Sequence, residues 1–242
     1  MLVLSLFPGI GLLDRAFEQE GFCVVRGPDL LWGGDIKTFH PPAGKFDGVI
    51  GGPPCKRWSR LSLLNHAQGH DLAPDLIPEY ERVVAATRPT WFLMENVPEA
   101  PVPEVRGYQV TSVVLNNRWL GAEQHRVRRF CFGTRDGRDL RQHIQLATLE
   151  SFSWQPTVCA SSGGKSRPGA LRKNGKLARP GRAMLADRSS RSLPEAIRLQ
   201  GLPDSFLKDA PFTSIGKREA IGNGVPLPMG LAIARAVKQA LA

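Results

Sequence analysis

The residue types best suited to chemistry in this sequence are a thiol, a carboxylate and two guanidiniums. Cys55 closes the run Gly51-Gly52-Pro53-Pro54-Cys55, directly after the apolar residues 46–50. Each proline ring holds φ near about −65°, so the pair stiffens the loop and aims the thiol. A lone cysteine is more often an inert buried residue, because reactivity needs accessible, electropositive surroundings. Two other segments offer them. Glu95-Asn96-Val97 follows the apolar residues 91–94, and Gln124-His125-Arg126-Val127-Arg128 precedes the apolar residues 129–132. If the latter is extended, alternation puts Arg126 and Arg128 on one face. Taken singly, Glu95 could cap a turn and the arginines could form a solvated face. Their joint occurrence with Pro-Pro-Cys, in this order, is much harder to dismiss as separate structural features.

A second candidate is the glycine turn Phe7-Pro8-Gly9-Ile10-Gly11, between an apolar run and an amphipathic stretch. Glycine allows close approach of the backbone to a ligand, with a helix N-terminus facing it. Asp29 stands 20 residues after Gly9, where dinucleotide folds place an acid on ribose hydroxyls. The third glycine of G-x-G-x-x-G is absent, and Asp14 occupies its place. From this turn alone, nicotinamide binding, S-adenosylmethionine binding and an unliganded βα turn all remain open.

The elements that must position these groups follow an alternating pattern, which predicts a parallel α/β sheet. Strands are expected at residues 2–7, 22–26, 46–50, 91–94, 108–115 and 129–132. Leu12, Leu13, Ala16 and Phe17 repeat at helical spacing, and a further helix is expected over residues 75–87. Ligand groups in such sheets gather beyond the carboxyl ends of the strands, where residues 7–11, 51–55 and 95–97 would meet. After Gly133 the composition shifts. Between residues 163 and 191, nine Lys and Arg face only Asp187, with Gly and Pro throughout. That is a loop-rich basic module rather than a core element. Ser192-Leu193-Pro194-Glu195 reads as a capping box, and Met229, Ile233, Ala236 and Ala240 share a helical face that should pack on the sheet.

Over 242 residues, Lys plus Arg is 32 and Asp plus Glu is 22, a net charge of +10. This excess points to a polyanionic partner, most often nucleic acid. A hydrophobic share of 42% excludes general disorder. No apolar run approaches the roughly 18 residues of a membrane span, and no basic leader precedes the N-terminal apolar stretch. Cys23, Cys55, Cys131 and Cys159 form no C-x-x-C pair, which argues against a zinc or disulfide framework and for a reducing compartment. The expectation is a soluble intracellular protein.

In this order the motifs make the chain resemble the DNA (cytosine-5) methyltransferases. The matching blocks are F-P-G-I-G at 7–11, Asp29, Asp35-Ile36, G-G-P-P-C at 51–55, E-N-V at 95–97, Q-H-R-V-R at 124–128, R-L-Q-G-L-P at 198–203 and I-G-N-G-V-P at 221–226. They cover nearly all of the chain outside residues 134–190. The resemblance implies a Rossmann-like S-adenosylmethionine-dependent methyltransferase sheet with a small, loop-rich second domain. Residues 1–133 with about 216–242 would form the catalytic, donor-binding domain, and residues 134–215 a small DNA-recognition domain.

It also implies methyl transfer from S-adenosylmethionine to C5 of cytosine in duplex DNA, with Cys55 bonded transiently to C6 and the base flipped out. C5 is a poor nucleophile until a thiolate adds to C6. Glu95 would bond N3 and the amino group, while Arg126 and Arg128 would clamp the pocket or the flipped nucleotide, Arg128 also supporting the thiolate. Flipping costs a few kcal/mol, which phosphate contacts offset. Phe7, Gly9, Ile10, Gly11, Leu12 and Pro53 would line the donor, with Asp29 on the ribose. Asp35 would take the adenine amino group, with Ile36 beside the ring and Asn223 and Val225 closing the site. DNA contacts would come from Lys56, Arg57, Ser59, Lys165, Arg167, Arg172, Lys173, Lys176, Arg179 and Arg182. No metal and no membrane are implied, and a monomer is the default. The family context is cytoplasmic and nucleoid-associated, in bacteria or phage, often within restriction-modification.

The pattern departs from the family in places. Ser5 stands where the first motif usually has Asp, Leu12 where a second glycine follows Gly11, and Lys56 where Gln follows the cysteine. Five residues separate Asp29 from Asp35, too few for the dozen or so that a crossover helix needs, so this edge should lack the helix or be rebuilt. The short stretch 134–190 predicts few base-edge contacts and a short or relaxed target. Gly163-Gly164-Lys165-Ser166 lacks the earlier glycine of a phosphate loop, and His66 with His70 lacks further metal ligands. The rival readings are an RNA cytosine-5 methyltransferase, a catalytically silent DNA-binding relative and, more distantly, a nicotinamide oxidoreductase.

Overall fold

A computed structural model describes residues 1–58, 73–147, 155, 157–158 and 191–242. Ser59, His66, His70 and the basic residues Lys165, Arg167, Arg172, Lys173, Lys176, Arg179 and Arg182 lie outside the described residues.

The sheet is built from β1 (Leu2–Leu6), β2 (Cys23–Arg26), β3 (Gly48–Gly51), β4 (Trp91–Asn96), β5 (Gln109–Asn116) and β6 (Val127–Thr134). Its order is β2-β1-β3-β4-β6-β5. The first four strands are parallel, and β6 runs antiparallel between β4 and β5. Central strands covered on both faces should be apolar throughout, and β3 and β4 are buried at every position.

Period-two alternation sends side chains to two cores. On one face Val3, Trp91 and Leu93 pack with Phe17 of α1 (Leu12–Gln19) and with Met229, Ile233 and Val237 of α5 (Leu227–Ala240). On the other, Leu4, Leu6, Phe92 and Met94 meet Tyr80, Val83 and Val84 of α2 (Ile77–Thr87). A third cluster joins Leu12 to Val158, to Ala196, Ile197 and Leu199 of α3 (Leu193–Leu199), and to Ile221 of α4 (Ser214–Asn223). The stretch Ser214–Ala240 is long and apolar enough, by length and composition, to cross a membrane. It is nevertheless two helices, parted between Asn223 and Leu227, and Met229, Ile233, Ala236 and Val237 are fully buried in the protein.

Every strand begins and ends within two residues of the sequence expectation. β6 gains two residues at each end, running from 127 to 134 rather than 129 to 132, because every one of its residues from Val127 to Thr134 pairs with β5. β4 likewise extends through Glu95 and Asn96, which pair with Phe130 and Arg129. The capping box is half formed: Ser192 Oγ accepts from Glu195 N, but the Glu195 carboxylate pairs with Arg191. Between β2 and β3 the described chain forms two 3-10 turns, Leu30–Trp32 and Ile36–Thr38, in place of a crossover helix. Arg82 of α2 holds the second turn by donating to the carbonyls of Ile36 and Phe39.

Arg126 decides how the C-terminal return meets the sheet. It is 1% exposed, and its guanidinium donates to Val158 O at 2.9 Å, Gly224 O at 3.0 Å and Gly222 O at 3.1 Å. Gln200 Nε2 takes the neighbouring Ile221 O at 2.6 Å. Together they bond carbonyls in and just after the last turn of α4, where intrahelical donors run out. Charge-assisted hydrogen bonds are each worth about 1.5–3 kcal/mol. Arg126→Met should therefore lower the unfolding free energy by about 3 kcal/mol or more, read as a reduced urea midpoint at unchanged slope; a loss under about 0.5 kcal/mol would contradict the clamp.

Candidate active site

The carboxyl ends of β1, β3 and β4, the first 3-10 turn and one face of α4 enclose a cavity of about 640 Å³, in the range of small-molecule sites. Cys55 begins the 3-10 turn Cys55–Arg57 and is half-buried in the cavity wall. Pro53 lies beneath it, and its carbonyl accepts from Asn96 Nδ2 at 3.1 Å, so the strand that carries the carboxylate also fixes the thiol loop. Glu95 and Arg128 share the cavity and form an ion pair at 2.8 Å, with side chains only 11% and 14% exposed. The pair joins the end of β4 to the start of β6.

Lys56 stands exposed on the rim, lining the cavity beside Cys55. Arg57 does not line it. Its guanidinium lies over the Trp58 ring and reaches Ala73 O at 3.4 Å. Cys131 is buried in the second core, where burial pushes its thiol up to about 11 against the opposing pull of Arg129. It stays protonated at neutral pH, unsuited to nucleophilic work.

The glycine turn is held in an unusual conformation. Phe7 has φ +54°, Gly9 +55° and Gly11 +77°. The left-handed region costs a residue with a side chain about 1–2 kcal/mol, and such strain persists where the surroundings over-determine it. Here Phe7 N donates to Pro28 O. Gly9 N donates to Asp29 Oδ2 at 2.8 Å, and Gly9 O accepts from Trp32 Nε1 at 2.7 Å. A Cβ at Gly9 would meet nothing within 4 Å, so this side of the turn is open. A Cβ at Gly11 would lie 2.5 Å from the Arg26 guanidinium. The Arg26 side chain could swing aside, so it is the left-handed φ that favours glycine at position 11, which is not among the cavity lining.

Arg26 reaches across the turn to Asp14, at 3.0 Å, and Ser5 Oγ donates to the other Asp14 oxygen at 2.5 Å. Burial raises the Asp14 pKa above the ordinary carboxylate value, while the Ser5 hydrogen bond and the Arg26 charge pull it back down. The two departures at positions 5 and 14 thus form one hydrogen-bonded unit behind the turn.

Among the other sequence candidates, Phe7, Gly9, Ile10, Leu12, Asp29, Asp35 and Ile36 line the cavity with Pro53, Asn223 and Val225. Asp29 is also the N-cap of the first 3-10 turn, accepting from Leu31 N, and Asp35 caps the second through Lys37 N. Ile36 is buried against α2. Arg126 is not brought in. It precedes β6 and points to the C-terminal return, so the expected shared face with Arg128 does not form. Sequence reasoning missed Glu219, Gly216 and Ala220 on α4, although with Asn223 they fall at i, i+3, i+4 and i+7. It also missed Leu30, Leu31 and Phe212. No group of three or more His, Cys, Asp or Glu among the described residues is arranged to hold a metal ion.

The sequence profile of C-5 cytosine-specific DNA methylases matches residues 33–161, more than half of the chain. The chain is 28% identical over 218 residues to Type II methyltransferase M.NgoPII of Neisseria gonorrhoeae, covering 72% of this chain and 63% of that protein. It is 35% identical over 173 residues to Type II methyltransferase M1.HphI of Haemophilus parahaemolyticus, covering 57% and 46%. The chain thus spans about half to just under two thirds of these relatives' length. Among solved structures, Entamoeba histolytica methyltransferase EhMeth superposes with a TM-score of 0.62 at 13% identity, covering 100% of this chain and 99% of that one. S. pombe Dnmt2 methyltransferase gives 0.60 at 14%, covering 100% and 98%. At these identities the likeness establishes the Rossmann-like methyltransferase fold.

Removing one member of a largely buried ion pair leaves the other uncompensated. In a double-mutant cycle of Glu95→Gln and Arg128→Met followed by urea unfolding, the coupling should be about 1–3 kcal/mol. The double variant should be more stable than Arg128→Met alone. Additivity within about 0.3 kcal/mol would contradict the pairing.

Proposed function

Because the chain belongs to the C-5 cytosine-specific DNA methylase family, we propose that it transfers a methyl group from S-adenosylmethionine to C5 of cytosine in duplex DNA. One observation carries this reading: Cys55, the Glu95–Arg128 pair and the open glycine turn line a single cavity. The cavity suits the donor. Each Asp29 oxygen accepts one backbone N–H, which leaves a further lone pair on each for a ribose diol. The open side of Gly9 lets a ligand lie against the backbone. Asp35 and Ile36 fall to the adenine, and Asn223 and Val225 to the far wall. When bound, the donor supplies an electrophilic methyl carried on sulfonium.

The chain's own residues do the rest. C5 and C6 are inaccessible in a stacked duplex, so the cytosine enters the cavity flipped. Cys55 Sγ, as thiolate, adds to C6, and the electrons of the C5–C6 double bond become available at C5 to take the methyl. Glu95 Oε1 is engaged by Arg128, leaving Oε2 to accept from the exocyclic amino group. Loss of the C5 proton and return of the Sγ–C6 electrons to sulfur restore the ring. Lys56 on the rim would meet a phosphate beside the flipped nucleotide. The basic residues from Lys165 to Arg182 would bind the duplex backbone as part of a small recognition domain at residues 134–215, set against the catalytic residues 1–133 and 216–242.

Purified wild type should incorporate labelled methyl into duplex DNA and not into structured RNA, and bisulfite sequencing should place the label on cytosine. Cys55→Ala should lower incorporation by roughly 10³-fold or more while still binding DNA. Incorporation into RNA alone, or an undiminished rate in the variant, would contradict the assignment.

A further inference from the structure

The carboxylates that line the cavity are engaged, with one exception. Asp14 holds Ser5 and Arg26, Asp29 accepts from Gly9 and Leu31, Asp35 accepts from Lys37, and Glu95 pairs with Arg128. Glu219 makes no hydrogen bond or ion pair among the described residues. It stands in the middle of α4, on the face that Gly216, Ala220 and Asn223 also turn to the cavity.

This helix is not free to carry Glu219 elsewhere. Thr213 caps its start, Lys217 Nζ donates to the carbonyls of Leu207 and Lys208, and Arg126 and Gln200 hold its last carbonyls. Phe212 packs on Trp32 with ring centroids 5.5 Å apart, and Trp32 in turn donates to Gly9 O. The acid therefore sits on the wall that is tied to the glycine turn. The same cavity is bordered by the start of α1, whose N-cap Gly11 offers no side-chain cap. Its first-turn N–H groups have no intrahelical partner and favour an anion, while Leu12, Leu13 and Asp14 of that turn line the cavity.

Backbone N–H groups at a helix N-terminus, whose one acid Asp14 is already paired with Arg26, and an exposed, unengaged carboxylate on the lining of the same cavity are together complementary to a zwitterion. Resting on the donor-binding reading above, we propose that Glu219 binds the α-ammonium group of the methyl donor's amino-acid end, whose α-carboxylate meets the N-terminus of α1. Asp29 and Asp35 serve the adenosine end, so the acids of the cavity divide the ligand between them. Glu219 then secures the part of the ligand that the product shares with the donor, and it does not read the sulfonium.

Binding of three ligands to wild type and to Glu219→Gln, measured by calorimetry without DNA, tests this. S-adenosylmethionine and S-adenosylhomocysteine both carry the amino-acid end, whereas 5′-methylthioadenosine lacks it. The variant should bind the first two about three- to tenfold more weakly, by a similar factor, and the third within twofold of wild type. An equal loss for 5′-methylthioadenosine would make Glu219 merely structural, and a loss confined to S-adenosylmethionine would place it on the sulfonium. Either result, or no change for any ligand, overturns the proposal. Wild type binding none of the three would instead overturn the donor-binding reading beneath it.

Discussion

The site depends on a single topological constraint: β6 runs antiparallel to β4. In a parallel sheet the thiol loop, the carboxylate and the glycine turn all emerge at carboxyl ends, which brings them to one edge. A sixth parallel strand would deliver only its last residues there. Because β6 is reversed, its first residues arrive at that edge instead, and Arg128 reaches Glu95 while Arg126 reaches the carbonyls of the C-terminal return. Two arginines separated by one residue thus do unlike work. One places positive charge inside the cavity, and the other locks the helix that forms the cavity's far wall.

The same edge concentrates costly features, each held by a neighbour. Phe7 sits in a left-handed conformation, with Gly9 beside it gripped at both backbone groups by Asp29 and Trp32. Asp14 is fully buried and would be expensive to ionise alone, yet Ser5 and Arg26 both contact it. The short link between β2 and β3 makes this possible. With no helix in that link, its first 3-10 turn folds back over the glycine turn instead of packing on the sheet face, and Asp29 becomes both a cap and a brace.

Much of this was legible in the residues themselves. Strand periodicity located β1, β3 and β4, and with them the positions of Phe7, Cys55 and Glu95, because a buried strand followed by Gly and Pro admits few alternatives. The missing crossover helix was also visible, since chain length between Asp29 and Asp35 is a hard limit. What failed was direction. Alternation could say that Arg126 and Arg128 share a face of an ideal strand, but Arg126 lies before the strand, where carbonyls of residues nearly 100 positions away draw it inward. Glu219 escaped for a related reason. Its helical spacing was present, but a face of Gly, Glu, Ala and Asn carries no hydrophobic pattern, and only the fold reveals that it borders a cavity.

The covalent role of Cys55 is open to a direct physical test with duplex DNA that carries 5-fluorocytosine in place of cytosine. Fluorine replaces the C5 proton that must leave, so a cysteine bonded to C6 cannot depart once C5 has been methylated. With S-adenosylmethionine present, wild type should form a protein–DNA adduct that survives denaturing electrophoresis, and Cys55→Ala should form none. No adduct from an enzyme that methylates ordinary DNA, or an adduct that persists without the Cys55 thiol, would contradict it.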